Sequence, residues 1–126
     1  AAKRLKSFAN VRVIQGDMHA LELAGQRFDL VLMDHALTYA EHPAKAVAEA
    51  ARLLRPGGRL LAVTLGQHDH RAAVEPFDHR NLGFRIEQLE GYARSAGLDV
   101  LSGNRLSRER KAPHFEVISL LARKRA

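Results

Sequence analysis

Two nearly continuous apolar runs constrain the fold of this chain more than any other feature of its sequence. The first covers residues 28–33 (Phe-Asp-Leu-Val-Leu-Met) and the second covers residues 59–65 (Arg-Leu-Leu-Ala-Val-Thr-Leu). Runs this apolar are typical of strands that are buried on both faces of a parallel sheet. Parallel neighbours need a crossover connection, which is right-handed and usually helical. The two runs therefore predict an α/β fold.

The segment between the runs has the pattern of the crossover helix. It opens with Pro43, which suits the first helical turn, and Pro56-Gly57-Gly58 ends it. Its apolar residues recur at helical spacing: Val47, Ala48, Ala51 and Leu54. We predict that this helix joins two adjacent parallel strands.

Other elements flank this unit. Val11–Gln15 alternates and is rich in β-branched residues, which predicts a strand. A second helix is expected from Ile86 to Ala96, before Gly97. Leu98–Leu101 and His114–Ala122 are strand-like, and we interpret the polar, arginine-rich residues 102–113 between them as a hairpin loop. With 126 residues, of which 46% are hydrophobic, the chain is expected to form one domain, residues 1–126.

Composition narrows the classes of function. The chain has no cysteine, which excludes a disulfide framework and thiolate metal sites. It has no apolar run of membrane-spanning length and no secretory signal pattern, so we expect a cytoplasmic protein without a membrane partner. The formal charge of +6 would allow weak attraction to polyanions, but much of the excess lies at the two ends and around Arg105, Arg108, Arg110 and Lys111, without interleaved aromatic residues for base stacking. Solvated charge is the interpretation that we favour.

Candidate binding residues follow two of the predicted strands, where ligands of open parallel sheets bind. In Gly16-Asp17-Met18 the carboxylate of Asp17 could accept a hydrogen bond from an exocyclic amine, or the segment could be only a turn. After the first apolar run, Asp34 could bind an amine or hydroxyl group and His35 could act as a base or orient a substrate. Alternatively, Asp34 caps the next turn and His35 is a solvated loop residue.

A third loop contains His68, Asp69, His70 and, further on, His79, which invites a metal hypothesis. Two histidines two positions apart converge on one ion only in an extended segment, so we interpret these as polar loop residues and predict no metal site. Sequence signatures of a hydrolase nucleophile elbow, a phosphate-binding P-loop and Gly-x-Gly-x-x-Gly are all absent.

Three segments in order, residues 13–18, 28–32 and 53–61 with its Arg-Pro-Gly-Gly, resemble class I S-adenosylmethionine-dependent methyltransferases. The resemblance implies a Rossmann-like sheet of parallel strands with an antiparallel last strand. It also implies S-adenosylmethionine as cofactor and an unknown methyl acceptor. By this resemblance Asp17 would contact the adenine amine, Met18 would flank the adenine ring, and Asp34 and His35 would border the methionine part of the cofactor.

Residues 68–70, His79, residues 82–84 and residues 113–117 are similar to a subgroup whose methyltransferase domain is joined to an arsenic-repressor-type winged-helix regulator. Nucleic acid would be a partner only through such a winged helix, which these residues do not contain. One small departure from the family is His42, where Asp often precedes the helix-starting proline. The larger one is that the sequence opens near the helix before the family's third strand, so we expect a truncated sheet. This polypeptide alone should then bind the cofactor weakly and be inactive.

The family's strand order, three-two-one-four-five-seven-six, implies that residues 28–33 lose a neighbour. Either Val11–Gln15 could move across to pair with that edge, or a second copy could, and we favour a homodimer through the exposed edge. Two functions from other classes stay open: a self-association or regulatory module without catalysis, and a basic nucleic-acid-binding domain.

Overall fold

The computed structural model describes residues 18, 25, 27–66, 83–108, 110 and 115–125. In chain order these residues form the following elements: β1 (Phe28–Asp34), a 3₁₀ helix (Ala36–Tyr39), α1 (Pro43–Leu53), β2 (Leu54–Leu65), α2 (Ile86–Ser95), β3 (Leu98–Arg108) and β4 (Glu116–Lys124). The predicted strand at Val11–Gln15 and the histidine-containing loop lie outside the described residues.

The four strands form one mixed sheet in the order β1-β2-β4-β3. β1 pairs with β2 in parallel, with Leu32 beside Leu61 and Asp34 beside Val63. β4 runs antiparallel to both β2 and β3. The predictions of adjacent parallel strands linked by the Pro43 helix, and of an antiparallel last strand, are both confirmed.

The boundary between α1 and β2 differs slightly from the prediction. The helix ends at Leu53, and β2 starts at Leu54 instead of Arg59. Gly57 has a φ of 84°, a conformation that glycine adopts without strain. A Cβ on Gly58 would lie 2.9 Å from the carbonyl oxygen of Arg55. The two glycines therefore let the chain turn sharply against the start of β1.

Both helices pack on the same face of the sheet, since their buried residues belong to one core cluster with those of the strands. Each helix buries a single apolar stripe. α1 buries Ala46, Val47, Ala50, Ala51 and Leu53, and α2 buries Leu89 and Ala93. The strands contribute Leu60, Ala62, Ile118, Leu120 and Ala122. On the other face, Leu30 and Leu32 are 58% and 51% exposed. We call this second side the open face.

The prediction of a loop over residues 102–113 is wrong for its first part, because β3 continues to Arg108. Residues 102–108 pair with residues 116–121 of β4, with irregularities between Val100 and Ser102 and between Arg105 and Ser107. The ladder of backbone hydrogen bonds holds this polar segment as a strand although it buries little apolar surface. The helix predicted from Ile86 is confirmed, and Gly97, with a φ of 84°, follows its end.

Candidate functional site

The carboxyl ends of β1 and β2 lie side by side, so the residues that follow them share one edge of the sheet. Asp34 ends β1 opposite Val63, and Gly66 follows β2. We call this region the carboxyl edge. Loops converge here and a ligand can lie across the strand ends, which is how open α/β sheets bind ligands.

His35 leaves β1 in the left-handed conformation, with φ 57° and ψ 15°. It is the one non-glycine residue with positive φ in the described part of the chain. Such a conformation costs about 1 kcal/mol or more for a residue with a Cβ. Its N–H donates to the carbonyl oxygen of Val63 over 2.7 Å, which helps to hold the turn. The turn reverses the chain immediately after β1 and leads into the 3₁₀ helix.

The side chains of Asp34 and His35 lie near each other at this turn. The Oδ1 atom of Asp34 is 3.7 Å from Nε2 of His35, and the two side chains are 64% and 43% exposed. At that distance the contact is electrostatic and is too long for a hydrogen bond. An exposed carboxylate only accepts hydrogen bonds, so Asp34 suits an amine or hydroxyl group of a ligand.

A pair of buried hydroxyl groups ties the turn to the sheet. Thr38 of the 3₁₀ helix and Thr64 of β2 are 1% and 0% exposed. Their Oγ1 atoms are 3.2 Å apart, within hydrogen-bonding distance. Leu37 packs into the core beside them. The loop that carries Asp34 and His35 is therefore held against β2 by this buried contact. Sequence reasoning did not single out this pair, although a threonine in the second apolar run signals a buried partner.

The edge continues beyond β2. Gly66 forms a parallel bridge with Phe84, and its N–H donates to the carbonyl oxygen of Glu116 over 2.8 Å. A guanidinium N–H of Arg105 donates to Oε1 of Glu116 over 3.2 Å. Glu116 and Arg105 thus lie at the same edge as Asp34, on the far side of β2, and we did not predict them as site residues.

Of the other predicted site residues, the structure describes only Met18. Met18 is half-buried and packs against the core. Asp17 lies outside the described residues, as do His68, Asp69, His70 and His79. Among the residues that the structure describes, no group of three or more His, Cys, Asp or Glu could hold a metal ion. A cavity of about 330 Å³ is lined by Arg94, Asp99 and Arg125, but it lies at the start of β3, the opposite edge from Asp34.

Comparison with known proteins shows that this chain is similar to methyltransferases. Residues 1–62 match the model of a methyltransferase domain. The chain is 30% identical over 108 residues to a malonyl-[acyl-carrier protein] O-methyltransferase of Paenibacillus, a match that covers 82% of this chain and 37% of the relative. It is 34% identical over 65 residues to a ubiquinone/menaquinone biosynthesis C-methyltransferase of Roseobacter denitrificans, covering 52% of this chain and 26% of the relative.

Among solved structures, a SAM-dependent methyltransferase of Methanosarcina mazei superposes with a TM-score of 0.69 at 16% identity, over 87% of this chain and 65% of that one. The described residues have the fold of the class I S-adenosylmethionine-dependent methyltransferases. The chain is similar in sequence to these methyltransferases, and it spans well under half the length of the two curated relatives. Within the described ranges, no helix is long and apolar enough to cross a membrane.

Proposed function

We propose that this chain is part of a methyltransferase that transfers a methyl group from S-adenosylmethionine. The turn after β1 is the observation that carries the proposal. The exposed carboxylate of Asp34 and the side chain of His35, whose backbone is left-handed, lie there at the carboxyl edge of a methyltransferase fold. The Thr38–Thr64 contact holds this loop against the sheet. The match of residues 1–62 to a methyltransferase domain supports the same reaction.

The described residues fit the methionine part of this cofactor. The carboxylate of Asp34 accepts hydrogen bonds from its ammonium group, and His35 borders the same part. By the family resemblance, Met18, which is half-buried against the core, would flank the adenine ring, and Asp17, which lies outside the described residues, would contact the adenine amine. When bound, the cofactor would supply a methyl group on a sulfonium; transfer of that methyl to a nucleophile of the acceptor would break its bond to sulfur and leave S-adenosylhomocysteine. The protein then acts mainly by proximity and orientation, without a covalent intermediate.

The acceptor stays open in this proposal. The two curated relatives act, by their names, on malonyl-[acyl-carrier protein] and in ubiquinone/menaquinone biosynthesis, and one is an O- and the other a C-methyltransferase. The likeness of residues 68–70, 82–84 and 113–117 to methyltransferases joined to arsenic-repressor-type regulators favours a regulatory context. In that context, nucleic acid is bound only through a winged helix. A cytoplasmic location is a separate part of the proposal.

A titration of the ¹⁵N-labelled chain with S-adenosylmethionine, followed by NMR, tests the site. We expect chemical-shift changes at Asp34, His35 and Gly66, and none at the cavity beside Asp99, which serves as an internal control. Asp34→Asn should weaken the changes, because the amide has one acceptor oxygen in place of a carboxylate. Changes confined to residues away from the carboxyl edge would contradict the proposed site.

The strength of binding is a separate prediction. The 126 residues contain no Gly-x-Gly-x-x-Gly sequence, which elsewhere brings the backbone close to a nucleotide cofactor. We therefore propose that this polypeptide by itself binds S-adenosylmethionine weakly and does not turn over. Calorimetry checks this directly, and a micromolar dissociation constant for the 126-residue chain would show that the glycine-rich loop matters less than we argue.

A further inference from the structure

The edge of the sheet opposite the carboxyl edge carries the positive charge of the described residues. β1, β2 and β3 begin at this edge, and β4, α1 and α2 end there. We call it the amino edge. It has eight cationic side chains and three acidic ones, whereas the other described residues carry five of each sign. The fold therefore collects at one edge arginines that are spread along the sequence from residue 27 to residue 125.

Part of this charge is neutralised locally. Each of the three carboxylates pairs with one arginine: Asp29 with Arg55, Asp99 with Arg125 and Glu49 with Arg52. Lys124 is also engaged, because its ammonium group donates to two carbonyl oxygens around the end of α1. These contacts account for half of the eight cationic side chains.

The other four are exposed arginines that have no carboxylate partner within the described residues: Arg27, Arg59, Arg94 and Arg123. Arg59 and Arg123 are direct neighbours on β2 and β4. Asp99 is opposite Arg123 on its other side, but the carboxylate of Asp99 binds Arg125 over 2.9 Å. Like charges directly opposite each other are destabilising, so an anion held by both guanidinium groups would remove this repulsion.

These four arginines extend across the whole amino edge. Arg27 immediately precedes β1, and Arg94 lines the cavity of about 330 Å³ at the start of β3. Between them, a guanidinium nitrogen of Arg123 lies 3.7 Å from a Cβ built on Gly57, close to the start of β2. The outer strands β1 and β3 are three strand spacings apart, which is about 14 Å.

A regular array of phosphates fits this width. Each strand of a nucleic-acid duplex carries one phosphate about every 3.4 Å of helix axis, so about four successive phosphates span the amino edge. Guanidinium groups suit them, because each can donate two parallel hydrogen bonds to a phosphate. A single strand would need open aromatic rings for stacking, but Phe28 is half-buried and Tyr92 packs edge-to-face on Phe84.

We propose that the amino edge binds the phosphate backbone of a nucleic-acid duplex without reading its bases. This goes beyond the proposed function, and it departs from the expectation that nucleic acid is bound only through a winged helix. The contact requires neither the carboxyl edge nor S-adenosylmethionine, so its test is independent of methyl transfer.

Fluorescence anisotropy of a labelled DNA duplex of about 20 base pairs measures this binding at several salt concentrations. Four phosphate contacts predict that the logarithm of the association constant falls with the logarithm of the salt concentration with a slope of about −3 to −4. Affinity should then fall about a hundredfold between about 50 and 200 mM salt. A slope near zero, or no binding at the lowest salt concentration, would refute the proposal.

A charge-matched pair of double variants locates the contact. Arg59→Gln with Arg123→Gln should make the slope shallower by about two and weaken binding by about tenfold or more. Arg108→Gln with Arg110→Gln is the control, because Arg108 ends β3 at the carboxyl edge and both arginines are exposed. The two variants lose the same charge, so equal effects would show general attraction to the net charge and would overturn the assignment to the amino edge.

A second double variant, Arg27→Gln with Arg94→Gln, should reproduce the shallower slope. Circular dichroism verifies that each variant folds, which the exposed positions of these arginines favour. If one double variant fails to fold, the other still decides the matter. An unchanged slope in a folded variant of this edge would contradict the proposal.

Competition identifies the class of partner. Polyglutamate, single-stranded DNA of the same length and vesicles with anionic lipid are each titrated against the labelled duplex at equal concentration of negative charge. We expect unlabelled duplex to displace the label at the lowest concentration. Tighter binding of one of the other three, lost in Arg59→Gln with Arg123→Gln, would assign the amino edge to that partner instead and would overturn the proposal.

Discussion

Gly103 provides the sharpest test of how β3 packs on α2. A Cβ built on this glycine would lie 2.6 Å from Cγ2 of Ile86, the first residue of α2. That is about 1 Å closer than an ordinary carbon–carbon contact. The residue sits opposite Leu120 of β4, so its strand cannot move away without stretching the ladder. Either Ile86 must leave its position or β3 must shift.

We expect Gly103→Ala to lower the free energy of unfolding by about 1–2 kcal/mol. Overpacking of a closely packed contact costs about 1–3 kcal/mol. The loss of glycine's freedom in the unfolded chain returns about 0.5 kcal/mol. Urea denaturation followed by circular dichroism measures the difference, and an unchanged m-value verifies that the same transition is compared.

Gly91 is the matched control. It lies inside α2, and a Cβ there would meet nothing within 4 Å. Gly91→Ala should therefore stabilise the protein by about 0.5–1 kcal/mol, since alanine is the better helix residue. Ile86→Ala removes the colliding methyl group, so the cost of Gly103→Ala should largely vanish in that background. If Gly103→Ala is neutral or stabilising in the parent chain, residues 102–108 do not pack as β3 does here, and the reasoning fails.

Two further predictions concern the supports of the sheet. The ammonium group of Lys124 donates to the carbonyl oxygens of Ala51 and Leu54 over 3.0 and 2.9 Å. Lys124→Met removes these hydrogen bonds from a charged group and also removes the favourable charge at the end of α1. It should therefore lower the free energy of unfolding, measured by urea denaturation, by about 2 kcal/mol. Lys45→Met, at an exposed position of α1, is the control, and an equal loss there would show that the carbonyl contacts are unimportant. Thr64→Val should lower the free energy of unfolding by about 1 kcal/mol or more, because it removes the hydroxyl group that contacts Thr38. It should also loosen the turn after β1, which would be measured as faster amide exchange at His35. Unchanged exchange there would contradict a role for the hydroxyl group in anchoring the turn.

The central unit of the fold was predictable because each of its elements carries its own local signal. The apolar runs at Phe28 and Leu60 need two covered faces, and the helix between them has an apolar stripe, a proline at its start and glycines after its end. These signals depend on side-chain burial, which repeats with the period of the element. The position of Asp34 and His35 followed from the same logic, since residues after parallel strands meet at one edge.

Tertiary structure decided the features whose partners lie far along the chain. Residues 102–108 are polar and largely exposed, so their side chains give no periodic signal, and only the backbone ladder to β4 makes them a strand. The hydroxyl pair of Thr38 and Thr64 joins positions 26 residues apart, and the left-handed turn at His35 persists because it is tied to β2. The sequence alone therefore determined which segments must be buried. The folded sheet determined which polar groups meet, because a hydrogen bond requires a partner whose position no local pattern encodes.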